Sequence, residues 1–228
     1  MNASRAYGLA CFGLLATGII ATWAVYTQLP EIIPVHWDIE NKVNGYGPKR
    51  TVFTLPVIMT VLAICLWGLP FLAPKRFAVE GLRSLYAFVA FLAVAFLVYL
   101  TGVVLWTTLS SVRPSYVQID AGRCILAGVF LLLALLGTVL DKVPPNPFLG
   151  VRTPWTLASE RVWNDTHCMA RRTLIACGIL GFLVALVAFP FSTLASLLAS
   201  FALILIGALV PVIYSFVLYR RLKGRGEL

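Results

Sequence analysis

Charge is scarce in this sequence. Asp, Glu, Lys and Arg together make up 12% of its 228 residues, and none of them, nor either histidine, falls inside its long apolar runs. Ionisable groups at bilayer depth mark ion paths, proton relays and substrate sites, so their absence argues against a proton-driven pump. The five cysteines, at positions 11, 65, 124, 168 and 177, form no C-x-x-C or other metal-ligand spacing. They read as small core hydrophobes, with no disulfide, metal or cofactor expected. No linker, low-complexity segment or internal repeat breaks the chain, so residues 1–228 read as a single membrane domain.

What the sequence does have is apolar length. It is 60% hydrophobic with a mean hydropathy of +0.91, outside the range of soluble domains. Six runs, at 6–29, 51–73, 85–109, 124–140, 173–191 and 197–219, are long enough to cross a hydrocarbon core of about 30 Å. Runs of this length satisfy their backbone polar groups in lipid only as helices. The expected fold class is an all-α polytopic membrane protein of about six transmembrane helices. The stretch after Arg5 is longer than a usual signal-peptide core, so no cleavage is expected there.

The net charge of +9 reads as topology, with no nucleic-acid partner expected. Six spans put both termini on one side. That side collects Arg5, Lys75, Arg76, Arg83, Lys142, Arg152, Arg161, Arg171, Arg172, Arg220, Arg221, Lys223 and Arg225, against Lys42, Lys49, Arg50, Arg113 and Arg123 on the other. The excess of basic residues predicts cytoplasmic termini, an extracytoplasmic loop at 30–50 and a cytoplasmic loop at 141–172. Trp23, Tyr26, Trp67, Trp106 and Tyr219 lie near span ends and read as headgroup-level anchors. Prolines 56, 70, 190 and 211 fall within or at the ends of spans, where neighbouring helices absorb them or kinks open cavities.

The outer loop begins with Pro30 and Pro34, which end the first helix and extend the chain. Asn44-Gly45 is a turn signal, with His36, Trp37 and Asp38 before it and Tyr46 and Lys49 after it. A compact cap is expected. His36 reads either as an interfacial histidine closing that cap or as a metal ligand or acid/base group oriented by Asp38. The other histidine, His167, falls on the opposite side of the membrane, which removes a two-histidine metal site.

In the inner loop Pro144, Pro145 and Pro147 enforce an extended entry, and Gly150 permits a tight approach. Trp155, Ala158, Val162, Thr166 and Met169 recur at spacings of three and four, predicting an amphipathic surface helix that runs into the fifth span. Arg152 offers a guanidinium able to clamp a carboxylate, phosphate or carbonyl. It could equally cap a helix or pair with Glu160 or Asp165.

At these loops the chain resembles the SdpI family of bacterial membrane proteins. The outer LPEIIPVHW and NGYGPK are similar to the N-terminal membrane domain of unknown function that commonly precedes the SdpI region, with departures at Asp38, Asn41 and Asn44. The inner NPFLGVRTPWT, from Asn146 through Gly150, Arg152, Thr153, Pro154 and Trp155, followed by Trp163 and Thr166-His167, resembles the signature of that region itself. The resemblance divides the chain into an N-terminal helical hairpin, 1–73, and an SdpI-like region, 124–219. It implies a bacterial inner-membrane protein acting in immunity against a secreted antimicrobial peptide, in a family whose founding system also recruits a cytoplasmic transcriptional repressor.

The leading expectation is thus a non-catalytic receptor or immunity protein. Its outer cap of His36, Trp37, Asp38, Gly45, Tyr46 and Lys49 would meet a peptide or hold the loop together. Its inner set of Asn146, Gly150, Arg152, Thr153, Pro154, Trp155, Trp163 and His167 would contact a partner or structure that loop. Membrane lipids are the remaining expected partner. The alternative is a lipid-binding protein or enzyme at the cytoplasmic headgroup layer, using Arg152, Glu160, Asp165 and His167, although no nucleophile–base pair is legible. A small-solute transporter is suggested only by the prolines in the spans.

Overall fold

The computed structural model describes residues 3–38, 40, 42–68, 83–113, 115–146, 149–187 and 193–228. Pro70, Lys75, Arg76, Pro147, Pro190, Asn41 and the distal ends of the predicted second and fifth spans lie outside the described residues. Among the described residues seven α-helices form: α1 (Ala3–Tyr26), α2 (Thr54–Gly68), α3 (Arg83–Val112), α4 (Ala121–Gly137), α5 (Pro154–Ala158), α6 (Glu160–Val187) and α7 (Thr193–Gly224). Six helical segments among them are long and apolar enough to cross a membrane, in the order the apolar runs predict. At 1.5 Å per residue the 24 residues of α1 reach about 36 Å, enough to span with some tilt.

Five threonines of the spans are satisfied locally, whereas the buried hydroxyls of Tyr86 and Ser200 have no partner among the described residues. The hydroxyls of Thr17, Thr22, Thr60, Thr101 and Thr107 each donate to the carbonyl four residues back, at 2.8 Å, so these threonines present no unmet donor to lipid.

The chain divides into two compact units, residues 1–73 with 87–128, and residues 74–86 with 129–228. In the first, Cys11 of α1, Ala63 of α2 and Val94 of α3 form a buried cluster. The Tyr99 hydroxyl donates to the Cys124 carbonyl at 2.6 Å, joining α3 to α4. Among the described residues of this unit, an antiparallel ribbon pairs β1 (Ile32–Trp37) with β2 (Val43–Pro48).

In the second unit α4 and α6 approach so closely that only glycine fits between them. A Cβ at Gly178 would lie 2.6 Å from the Ala134 amide nitrogen and 2.8 Å from the Phe130 carbonyl, and one at Gly181 would lie 2.2 Å from the Phe130 ring. Small residues substitute for hydrophobic drive in lipid by letting backbones touch, and Phe130 is fully buried in the groove that these glycines leave.

The expected amphipathic helix over 155–169 is broken in two. Ser159 is extended (φ −150°, ψ 125°); its carbonyl accepts from the Trp163 amide at 2.9 Å, and its hydroxyl accepts from the Val162 amide at 3.4 Å. It is therefore the N-cap of α6. From there α6 runs unbroken into the fifth span, burying Val162, Trp163, Thr166, His167 and Ala170 on one face.

Candidate functional site

In the first unit the loop at 30–50 is built around the ribbon. The ribbon is closed by bonds of Asp38 to Glu40 and Lys42, not at Asn44-Gly45 as the dipeptide suggests. The Asp38 Oδ1 accepts from the amides of Glu40 and Lys42, both at 2.9 Å, and its own amide donates to the Lys42 carbonyl at 2.8 Å. A short carboxylate that mimics a backbone acceptor closes a ribbon well. Gly45 is needed inside β2, where it pairs with His36 across a bulge; a Cβ there would come within 2.9 Å of the His36 Cβ. With Asp38 engaged in closing the ribbon, it does not orient His36. Instead His36 Nδ1 donates to the Asn44 side-chain carbonyl across the ribbon.

Ile33 anchors the ribbon. It is 1% exposed in a cluster with Leu29, Val52, Leu105 and Leu109, while Lys49 ties the base together. The Lys49 ammonium lies 2.9 Å from Glu31 and 4.9 Å over the Tyr26 ring, and its amide donates to the Glu31 carbonyl at 2.9 Å. Lys49 is therefore engaged at the base. Ile32 and Tyr46, 60% and 67% exposed, are the large side chains that the ribbon presents outward. His36 is also exposed, and Trp37 is half-buried.

In the second unit residues 143–146 and 149–153 lie outside regular structure, so their backbone polar groups need other partners. Asn146 provides three: its amide donates to the carbonyls of Pro144 (2.8 Å) and Leu149 (2.9 Å), and its oxygen accepts from the Leu149 amide (2.7 Å). The Val151 amide donates to His167 Nε2 at 3.0 Å. His167 Nδ1 lies 2.8 Å from the Trp163 carbonyl, and an oxygen acceptor there requires Nδ1 to carry the proton. Both ring nitrogens are thus engaged in the neutral form. His167 stacks on Trp163 with centroids 4.2 Å apart, and the Trp163 indole donates to the Val143 carbonyl at 2.7 Å. Gly150 makes room for this arrangement: its φ is +117°, and a Cβ would stand 2.2 Å from His167 Nε2.

The T-P-W-T stretch is a helix start. Thr153 caps α5 by accepting from the Thr156 amide (3.2 Å), and the Thr156 hydroxyl accepts from the Thr153 amide (2.9 Å) and donates to the Val151 carbonyl (2.9 Å). Pro154 occupies the first turn, where its missing N–H costs nothing. Thr153 and Ser215 of α7 share a hydroxyl–hydroxyl bond at 3.1 Å, and Trp155 packs on Phe216 at 4.9 Å. Sequence reasoning missed Ser215, which stands 62 positions away and carries no local signal. It also missed the ion pair of Arg171 with Asp141, at 3.0 Å.

Arg152 differs from its neighbours. It is exposed and forms no hydrogen bond or ion pair among the described residues; the expected pairing with Glu160 or Asp165 does not form. His167 is buried with both ring nitrogens bonded, and Arg152 is exposed with no ion pair among the described residues.

Among the described residues, six helices long and apolar enough to cross a membrane define a multi-pass helical membrane protein. Residues 142–215 match the SdpI/YfhL protein family, and residues 13–60 match the domain of unknown function DUF1648. The loop at 141–172 therefore falls almost wholly within the SdpI/YfhL match and the loop at 30–50 within the DUF1648 match. The first match contains the network from Val143 to Ser215, and the second contains the whole ribbon. Over 211 residues the chain is 26% identical to the protein named Immunity protein SdpI of Bacillus subtilis (strain 168), covering 92% of this chain and 95% of that protein. No solved structure matches it. With six apolar helices and this bacterial relative, the chain is a multi-pass protein of the bacterial inner membrane.

Proposed function

We propose that this chain is a non-catalytic immunity protein that shields its host from a secreted, membrane-active antimicrobial peptide. The observation that carries the reading is similarity along nearly the whole length to a protein named for immunity. The geometry supports it in two ways. The inner-loop histidine has both nitrogens committed to structure, which leaves it no acid/base role. The ribbon, seated on Ile33, holds Ile32 and Tyr46 in an exposed position, with apolar side chains suited to an amphipathic peptide lying at the outer surface. This assignment takes both termini as cytoplasmic, following the distribution of basic residues.

On the cytoplasmic face the free guanidinium of Arg152, held on a rigid loop, is the contact we propose for a repressor-type partner that would report peptide capture. The test is survival of a sensitive bacterium challenged with a panel of secreted depolarising peptides, with and without this protein in its membrane. Protection against one peptide is the expected result. Equal killing across the panel, at full insertion, would count against immunity.

A further inference from the structure

The C-terminal end of α7 carries an open surface cavity of about 520 Å³ that the immunity reading does not use, lined by Trp155 of α5 and by Phe216, Tyr219, Arg220, Lys223 and Gly224 of α7. The Trp155 and Phe216 rings meet at 4.9 Å, tilted by 56°, and the Arg220 guanidinium lies 5.6 Å from the centre of the Phe216 ring. No carboxylate is among the lining residues. Glu227, the nearest acid along the chain, is held by Arg161 at 2.7 Å and Arg225 at 3.8 Å. Neither Arg220 nor Lys223 forms an ion pair among the described residues. Two uncompensated cations thus stand beside three aromatic rings.

The position of the cavity selects its ligand. The apolar run of α7 ends at Tyr219 and cations begin at Arg220, so the cavity lies at the depth where lipid headgroups start, the level that aromatic side chains prefer. A free phosphate would meet an aromatic wall with nothing to offer it. A phospholipid offers a phosphate to the cations, and glycerol and acyl methylenes to the rings. A zwitterionic headgroup adds an ammonium that both cations repel.

We infer that this cavity binds the phosphodiester headgroup of an anionic phospholipid. Arg220 and Lys223 take the phosphate, and Trp155, Phe216 and Tyr219 take the glycerol and first methylenes. The site is independent of the proposed peptide contact.

The test uses full-length protein reconstituted with equal parts phosphatidylglycerol and phosphatidylcholine, then extracted and weighed by native mass spectrometry. Phosphatidylglycerol should be retained preferentially. Arg220→Gln with Lys223→Gln should lower that preference by about fivefold per cation removed, while Arg225→Gln, whose partner is Glu227, should leave it unchanged. Lys223→Gln alone, on the exposed last turn, carries the test if the double variant melts early. Equal retention of the two lipids would overturn the assignment. So would an equal loss in Arg225→Gln, which would indicate a diffuse basic tail, or displacement by millimolar inorganic phosphate, which would indicate a site for soluble anions.

Discussion

Replacing Gly150 with alanine tests whether the inner loop is the rigid network described above. The substitution meets two obstacles. At φ +117° a residue with a Cβ is strained, by about 1–3 kcal/mol. The new Cβ would also stand 2.2 Å from His167 Nε2, with the neighbouring ring carbons at 3.1 and 3.2 Å. The ring has nowhere to retreat, because Nδ1 is bonded to the Trp163 carbonyl and the ring face is stacked on a fully buried indole. Moving it breaks the Val151 bond and leaves a half-buried amide unmet, at about 1–3 kcal/mol more. The total, about 2–6 kcal/mol, should lower the melting midpoint of detergent-purified protein by on the order of 10 °C. A double-mutant cycle isolates the clash. In a His167→Ala background only backbone strain remains, so Gly150→Ala should cost less there by about 1–3 kcal/mol. A Gly150→Ala protein that melts with wild type, or costs that add with no coupling, would refute the reasoning.

Three further outcomes are expected from the same melting assay. Trp163→Phe keeps a ring against His167 but strands the Val143 carbonyl, now 2.7 Å from the indole nitrogen, and should cost about 1–3 kcal/mol. Gly178→Ala would push a methyl against main-chain atoms of Ala134 and Phe130 that cannot rotate away, forcing α4 and α6 apart at about 1–3 kcal/mol. Arg152→Ala, by contrast, should stay within about 0.5 kcal/mol of wild type; a larger fall would reveal a structural role for this guanidinium.

The helices were legible because a membrane span has only one way to satisfy its backbone, and six charge-free runs announce it. The loops were legible by composition but less so by geometry. Asn44-Gly45 carries the statistics of a hairpin turn, yet Asp38 supplies a side-chain acceptor for two amides, and Gly45 is required opposite His36, so the ribbon is closed by the bonds of Asp38 to Glu40 and Lys42. Spacing alone ran a helix through Ser159, whose hydroxyl instead starts a new one. The functional candidates divide the same way. Asn146, Thr153, Trp163 and His167 stand where an irregular backbone needs donors and acceptors, a need that becomes visible only once the path of the loop is known. Ser215 and the close approach of Gly178 to α4 depend on distant partners, which no local pattern encodes.

The most direct test of the account is the membrane potential of peptide-challenged cells, recorded for wild type and for an Ile32→Ser, Tyr46→Ser variant at equal inserted level. Both side chains are exposed, so the exchange leaves the ribbon's anchor at Ile33 in place. The account predicts that wild-type cells hold their potential and variant cells lose it. Equal protection by the variant would contradict the proposal that the external ribbon meets the peptide.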